Sequence, residues 1–249
     1  DKGIVSILSG YPAQPRSSII KFPNKTQHLS YLPKTLEKSG YHTSFVYGGD
    51  IGFANMESYV TQAGFSHITE VDDFGSEFDD SKWGVADHFV FERLLIECDT
   101  ASSPFFKVML SLSSHEPFEV PMETVIKGND EGPMFLNSCY YTDRSLGEFI
   151  RKAKLQAWWK NTLVIITADH GHRFPNPNEL KEKERFKIPM LWLGGVIHKS
   201  ERIKTIAGHT DIANTVLTQI GIGNTPDFSF SKNILADTVN SFAIYVFNN

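Results

Sequence analysis

The sequence predicts an α/β fold with a largely parallel central sheet flanked by helices, and three observations carry that reading. Short apolar runs of β-forming residues alternate with stretches of helical period. The best of these runs stop abruptly at glycine and polar residues, as buried strands do at their carboxyl ends. The chain has 249 residues and 41% of them are hydrophobic, enough to close a core. No repeat, low-complexity tract or linker interrupts the pattern, so residues 1–249 read as a single domain.

The elements follow in order. The first strand is TSFVY, with Phe45, Val46 and Tyr47 before Gly48, Gly49 and Asp50. A helix follows in HFVFERLLIE, marked by Phe89, Leu94 and Leu95. The second strand, FFKVMLSL at 105–112, ends at Ser113, Ser114 and His115. Leu146, Phe149, Ile150 and Ala153 recur at helical spacing, and Thr142 and Asp143 are N-cap types placed just before them. Trp158 and Trp159 pack at that helix's end. TLVIIT at 162–167 is expected to be the best buried strand and stops at Ala168, Asp169, His170 and Gly171. PMLWL at 189–193 precedes Gly194 and Gly195. The last helix begins near Thr210 or Asp211, buries Ile212, Val216, Leu217 and Ile220, and ends at Gly221. From Asn224 onward, Phe228, Phe230 and FAIYVF suggest a small C-terminal antiparallel annex.

Composition excludes several classes. Lys+Arg number 24 against 29 Asp+Glu, a net charge of −5 with no basic block, so nucleic acid is excluded as a partner. No apolar run approaches the ~18 residues of a membrane helix. Cys98 and Cys139 are too few and too far apart for a disulfide framework or a cysteine zinc site. The opening DKGIVSILSG has neither Met nor a signal-peptide pattern and reads as the start of an excised piece, with any anchor or export signal outside it.

Ligands of open α/β sheets bind beyond the carboxyl ends of the strands, so the polar residues there are the candidates. Asp169 and His170 are the strongest. Past the strand end, beside Gly171, both side chains can turn toward one ion, and a carboxylate with an imidazole suits Zn²⁺ or Mn²⁺ better than Ca²⁺. The plainer alternative is a turn-capping Asp169 and a packed His170. His115 in SSHEPF is placed to hydrogen-bond a substrate oxygen or protonate a leaving group, or else is a loop histidine satisfied by backbone. Asp50 either reaches a ligand hydroxyl or closes a turn. His209 and Asp211 in AGHTDIANT are candidates for a second metal, against a surface histidine beside a capping residue. ELKEKERFK mixes signs and reads as a solvated face. No G-x-S-x-G elbow, Walker loop, H-E-x-x-H or dinucleotide fingerprint is present.

Together GYPAQP, GYHTSFVYGGD, KWG with a following Asp87, SSHEPF, YTD, ADHG, KIPMLWLGG and GHTDIANT resemble the lipoteichoic acid synthase branch of the sulfatase/alkaline phosphatase superfamily. The resemblance runs over nearly the whole chain. It implies that superfamily's fold, here lacking its first strand, in a membrane-anchored enzyme whose extracytoplasmic domain binds one divalent ion. Mn²⁺ is the usual ion, with Zn²⁺, Mg²⁺ and Ca²⁺ as alternatives. The ligands are a Glu, a Thr, an Asp and a His; Asp169 and His170 match the last two, and the Thr would fall immediately before Asp1. The implied chemistry is transfer of a phosphoryl group from a phospholipid head group through a phospho-Thr ester. In that scheme His115 is the substrate-contacting catalytic histidine, with Trp83, Asn55 and Asp50 as substrate-binding positions. The piece itself, lacking the nucleophile, is expected to be inactive.

One departure stands out. The branch carries F-W-N-R to hold glycerol phosphate, where this chain has Phe53, Ala54, Asn55 and Met56, without the bidentate arginine. Phosphoethanolamine transfer, hydrolysis of a sulfate or other ester, and non-catalytic binding of a head group or glycan therefore stay open. A strict sulfatase would place a Cys-x-Pro-Ser-Arg motif where Lys2 and Ile4 take the Pro and Arg places, and neither fits.

Overall fold

The computed structural model describes residues 2–78, 81–175, 178–223 and 225–247. Seven helices and five strands are defined among them: α1 (Lys2–Ser9), α2 (Pro23–Thr26), α3 (Leu32–Lys38), β1 (His42–Tyr47), α4 (Met56–Ala63), β2 (His67–Thr69), α5 (Asp87–Thr100), β3 (Phe105–Leu110), α6 (Glu131–Ala153), β4 (Val164–Thr167), β5 (Met190–Leu193) and α7 (Ile212–Gln219). α4 and α5 form the crossovers that parallel pairing requires, and β1 lies between β2 and β3 in one parallel sheet.

Alternation along β1 assigns its side chains to two cores. Phe45 and Tyr47 pack with Ile4, Val5 and Leu8 of α1 and with Tyr59 and Val60 of α4. Val46 faces the other way, onto Val90, Leu94 and Cys98 of α5 and Phe149 of α6. A third cluster joins Leu32 and Leu36 of α3 to Ala213 and Leu217 of α7, closed by Phe228.

β1, β3, β4, β5 and α7 lie where the hydrophobic pattern puts them, and Gly221 ends α7 with a φ of 83°. α1 to α4 and β2 fall where the pattern marked no element, and two of the marked features differ. α6 begins at Glu131, so Thr142 and Asp143 sit inside the helix and are not its cap. Its first turns bury Asn137, Ser138 and Tyr141, residues that leave no hydrophobic stripe. Asn137 is instead a bracket: its Oδ1 accepts the Val125 and Ile126 N–H groups at 2.9 Å, and its Nδ2 donates to the Ile126 carbonyl at 2.8 Å.

The antiparallel element is also elsewhere than expected. β4 and β5 pair antiparallel, from Val164 opposite Leu193 to Thr167 opposite Met190, while no strand occurs among the described residues of the tail. Phe242 and Ile244 of FAIYVF lie exposed. Side-chain bonds from α7 hold the tail. Asn214 donates to the Phe228 and Ser231 carbonyls, and Thr215 accepts from the Ile234 N–H. Among the described residues no helix is long and apolar enough to cross a membrane.

Candidate functional site

The loop that carries His115 is set by Asp87, which opens α5 with no exposed surface. Asp87 Oδ1 accepts the Leu112 and Ser113 N–H groups at 2.7 and 3.1 Å, and Oδ2 accepts the Thr142 hydroxyl at 2.7 Å. Its own N–H donates to Ser113 Oγ at 3.0 Å. Three separated motifs, the Asp after KWG, SSHEPF and YTD, are thus knotted at one carboxylate. Such charge-assisted bonds are among the stronger ones in proteins.

His115 projects from this knot into solvent. Its Nδ1 is 2.9 Å from the Glu116 carbonyl, and a carbonyl only accepts, so Nδ1 carries the proton and Nε2 is left to face a ligand. The Trp83 indole donates to the same carbonyl at 2.5 Å and lies edge-on, 4.6 Å between centroids, against the His115 ring. Phe53 extends this wall, 5.6 Å from Trp83. Sequence-predicted His115 and Trp83 are therefore in contact.

Asp169 and His170 follow β4 directly. Asp169 Oδ1 is 3.8 Å from His170 Nε2, while His170 Nδ1 donates to the Gly171 carbonyl at 2.9 Å. That bond fixes the tautomer and leaves the Nε2 lone pair unprotonated. A cation about 2.0 to 2.2 Å from each ligand atom is compatible with such a separation, so the pair fits two positions of a divalent-metal site. Close packing holds the segment. A Cβ on Gly3 of α1 would come within 1.7 Å of the Asp169 carbonyl oxygen, and one on Gly171 within 1.9 Å of the Arg185 carbonyl oxygen.

Three further residues tie the strand ends together. His209 Nε2 donates to the Ala168 carbonyl at 2.7 Å; burial holds this imidazole below its ordinary pKa, against the pull of that bond and of Asp169, and keeps it a neutral donor. The Tyr47 hydroxyl is pushed up to about 12 by burial, with the charges of Asp50 and Asp169 adding to it, so the ends of β1 and β4 share one field. His172 packs among Phe118, Phe135 and Phe174, with Nε2 3.8 Å from Glu116 Oε1. Its pKa is lowered by burial, which outweighs the Glu116 carboxylate. Through this contact the His115 loop touches the loop that carries His170.

Other candidates go elsewhere. Asp50 Oδ1 accepts the Gly52 N–H at 2.7 Å and closes a turn. Asn55 is exposed, in the left-handed region at φ 63°, with Nδ2 3.5 Å from the Ile20 carbonyl. Met56, at the place of the missing arginine, is buried in the core at 7% exposure. Asp211 is not a partner for His209. Its carboxylate takes the Gly208 N–H at 2.9 Å, the Lys232 N–H at 3.1 Å and Lys232 Nζ at 3.0 Å, so the expected second metal pair is instead an anchor for the tail. Among the described residues no group of three or more His, Cys, Asp or Glu is gathered as a metal site. The roles of Tyr47, His172 and Gly3 have no signature in local pattern. Only Asp87 and Thr142, inside recognisable motifs, left a trace.

Comparison with known proteins converges on one family. The family described as Sulfatase matches residues 2–222. The chain is 21% identical over 265 residues to the lipoteichoic acid synthase-like YvgJ of Bacillus subtilis, covering 98% of this chain and 43% of that protein. It is 26% identical over 216 residues to phosphoglycerol transferase I of Xanthomonas axonopodis, covering 81% of this chain and 30% of the relative. It therefore spans less than half the length of either. Among solved structures, an alkaline phosphatase superfamily protein from Vibrio parahaemolyticus superposes with a TM-score of 0.84 at 28% identity, over 95% of this chain and 58% of that one. The lipoteichoic acid synthase LtaP of Listeria monocytogenes gives 0.79 at 22%, over 94% and 62%.

Proposed function

The chain belongs to the sulfatase family, with an alkaline-phosphatase-like α/β fold, and from that premise we propose that it works within a phosphoglycerol-transferase-like enzyme. In this reading a phosphoryl group moves from a phospholipid head group at the outer face of the cell membrane, to which segments outside these 249 residues anchor the domain. The observation that carries it is the Glu116–His172 contact, which sets the loop of the His115–Trp83 wall after β3 against the loop of the Asp169–His170 pair after β4.

Asp169 and His170 would hold a divalent cation, Mn²⁺ or Zn²⁺ by donor type, which when bound neutralises charge on the phosphoryl oxygens. The attacking threonine, by the resemblance, lies just before Asp1. α1, pressed onto the Asp169 backbone through Gly3, would keep it in line with the pair. The Trp83 and Phe53 rings exclude water from one side of the head group. His115 Nε2, when protonated, hands its proton to the leaving alcohol oxygen and retrieves one from the acceptor.

Met56 favours a second reading. With no arginine fork at that position the site is less committed to glycerol phosphate, and phosphoethanolamine or simple ester hydrolysis competes. The test is release of labelled glycerol phosphate against phosphoethanolamine from defined phospholipids by the full-length protein, with bound metal measured by elemental analysis. One equivalent of metal, lost together with turnover in Asp169→Asn, is expected. Unchanged metal content in Asp169→Asn would refute the assignment, and the released head group decides between the two transfers.

A further inference from the structure

The parallel sheet has a second polar end, opposite the site. His67 of β2, Ser44 of β1 and Lys107 of β3 pair in register, so one rung is polar across all three strands. Two residues further along, on the same face, the rung of Thr69, Val46 and Met109 returns toward the apolar core. α5 lays Glu97 and Arg93 over the polar rung. Glu97 Oε1 accepts the Thr69 hydroxyl at 2.6 Å and Arg93 Nε at 3.3 Å, and Oε2 accepts the Ser44 hydroxyl at 3.2 Å and Lys107 Nζ at 3.4 Å. Burial by itself would raise the Glu97 carboxyl, yet Thr69, Lys107 and Arg93 together hold it below the usual carboxylate range, so it is ionised.

The charges there do not balance. Two permanent cations face one carboxylate, with His42 and His67 beside them. Arg93 spends only Nε on Glu97, and its half-exposed guanidinium keeps two Nη groups for another acceptor. Beside this cluster lies an open groove of about 450 Å³, lined by Arg93, Lys107, Glu97, His42 and His67 with the hydroxyls of Ser66 and Ser102. Its size falls in the range of small-molecule sites, roughly 300–1,000 Å³, and exceeds what an inorganic oxyanion needs.

We propose that this groove binds a phosphate-bearing small molecule, with the Arg93 fork and Lys107 on the phosphate and the rim hydroxyls on a polyol, at a site separate from the catalytic end of the sheet. A planar guanidinium matches two phosphate oxygens at once, and a bound anion would cancel the surplus charge on a partly buried rung.

The test titrates the chain with inorganic phosphate and, separately, with glycerol 3-phosphate, following calorimetry and the amide NMR shifts of His42, Ser66, His67 and Ser102. Saturable shifts at these residues are expected, weakened about tenfold or more in Arg93→Gln, less in Arg93→Lys, and unchanged in His170→Ala. Tighter binding of glycerol 3-phosphate identifies a polyol phosphate site, and equal affinity a free phosphate site. No saturation by about 10 mM, or full affinity in Arg93→Gln, would show that the polar rung is structural only. Loss of binding in His170→Ala would equally overturn the inference, by placing the ligand at the other end of the sheet. Arg93 lies on the helix surface, so Gln there should leave the melting transition in place as a folding control.

Discussion

β1 and β4 are both short apolar strands, yet the structure treats them differently. β1 is buried at every residue from Thr43 to Tyr47, whereas no residue of β4 is fully buried and Met190 and Leu191 of its partner β5 are exposed. Composition does not separate them. β1 has a strand on each side and a core on each face, while β4 has β5 on one edge only among the described residues. Burial is a property of neighbours, and the site lies where the well-packed half meets the lightly packed one.

Mutations can break that contrast if it is wrong. Phe45→Ala, at a fully buried position, should cost about 3–5 kcal/mol in denaturant unfolding. A loss near 1 kcal/mol would mean that the β1 layer is loose. Asp87→Ala strands two buried N–H groups and the Thr142 hydroxyl, for roughly 2–4 kcal/mol, and should broaden the His115 NMR signals as its loop comes free. If those signals stay sharp, Asp87 does not position His115. Gly3→Ala forces α1 off the Asp169 carbonyl, at about 1–3 kcal/mol, and should shift the His170 ring resonances while leaving those of His67 in place.

A smaller effect is expected with pH. The Glu97 carboxyl is lowered from its usual 4.5 in the folded chain, so on acidification the unfolded chain takes the proton first. The stability it contributes is complete above 4.5 and is lost as pH falls through the lower folded value. Glu97→Gln should flatten that part of a stability-against-pH curve, and an unchanged acid limb would show that the residue is not ionised in the fold. Smallest of all, Leu191→Ala on the exposed side of β5 should stay within about 0.5 kcal/mol. A cost like that of Phe45 would mean that the β4–β5 pair is covered as well as β1.

Local sequence determined the kind of element and its end points wherever one face is apolar. TSFVY, FFKVML, VIIT and MLWL are strands, α7 starts after His209 and stops at Gly221, and Asp169 with His170 falls just past a strand end. Periodicity and turn chemistry act over a few residues, so they can be read from a few residues. The tertiary structure alone decided the rest. α6 extends back to Glu131 because Asn137 and Asp87 satisfy buried polar groups from distant segments, and β5 runs antiparallel because its direction depends on the route of the chain from β4. Asp211 serves Lys232 and not an ion, and Ser44, His67 and Lys107 meet on one rung only when three strands come into register. Partners for a buried polar atom are chosen across the whole chain, and no short stretch of sequence contains both members of the pair.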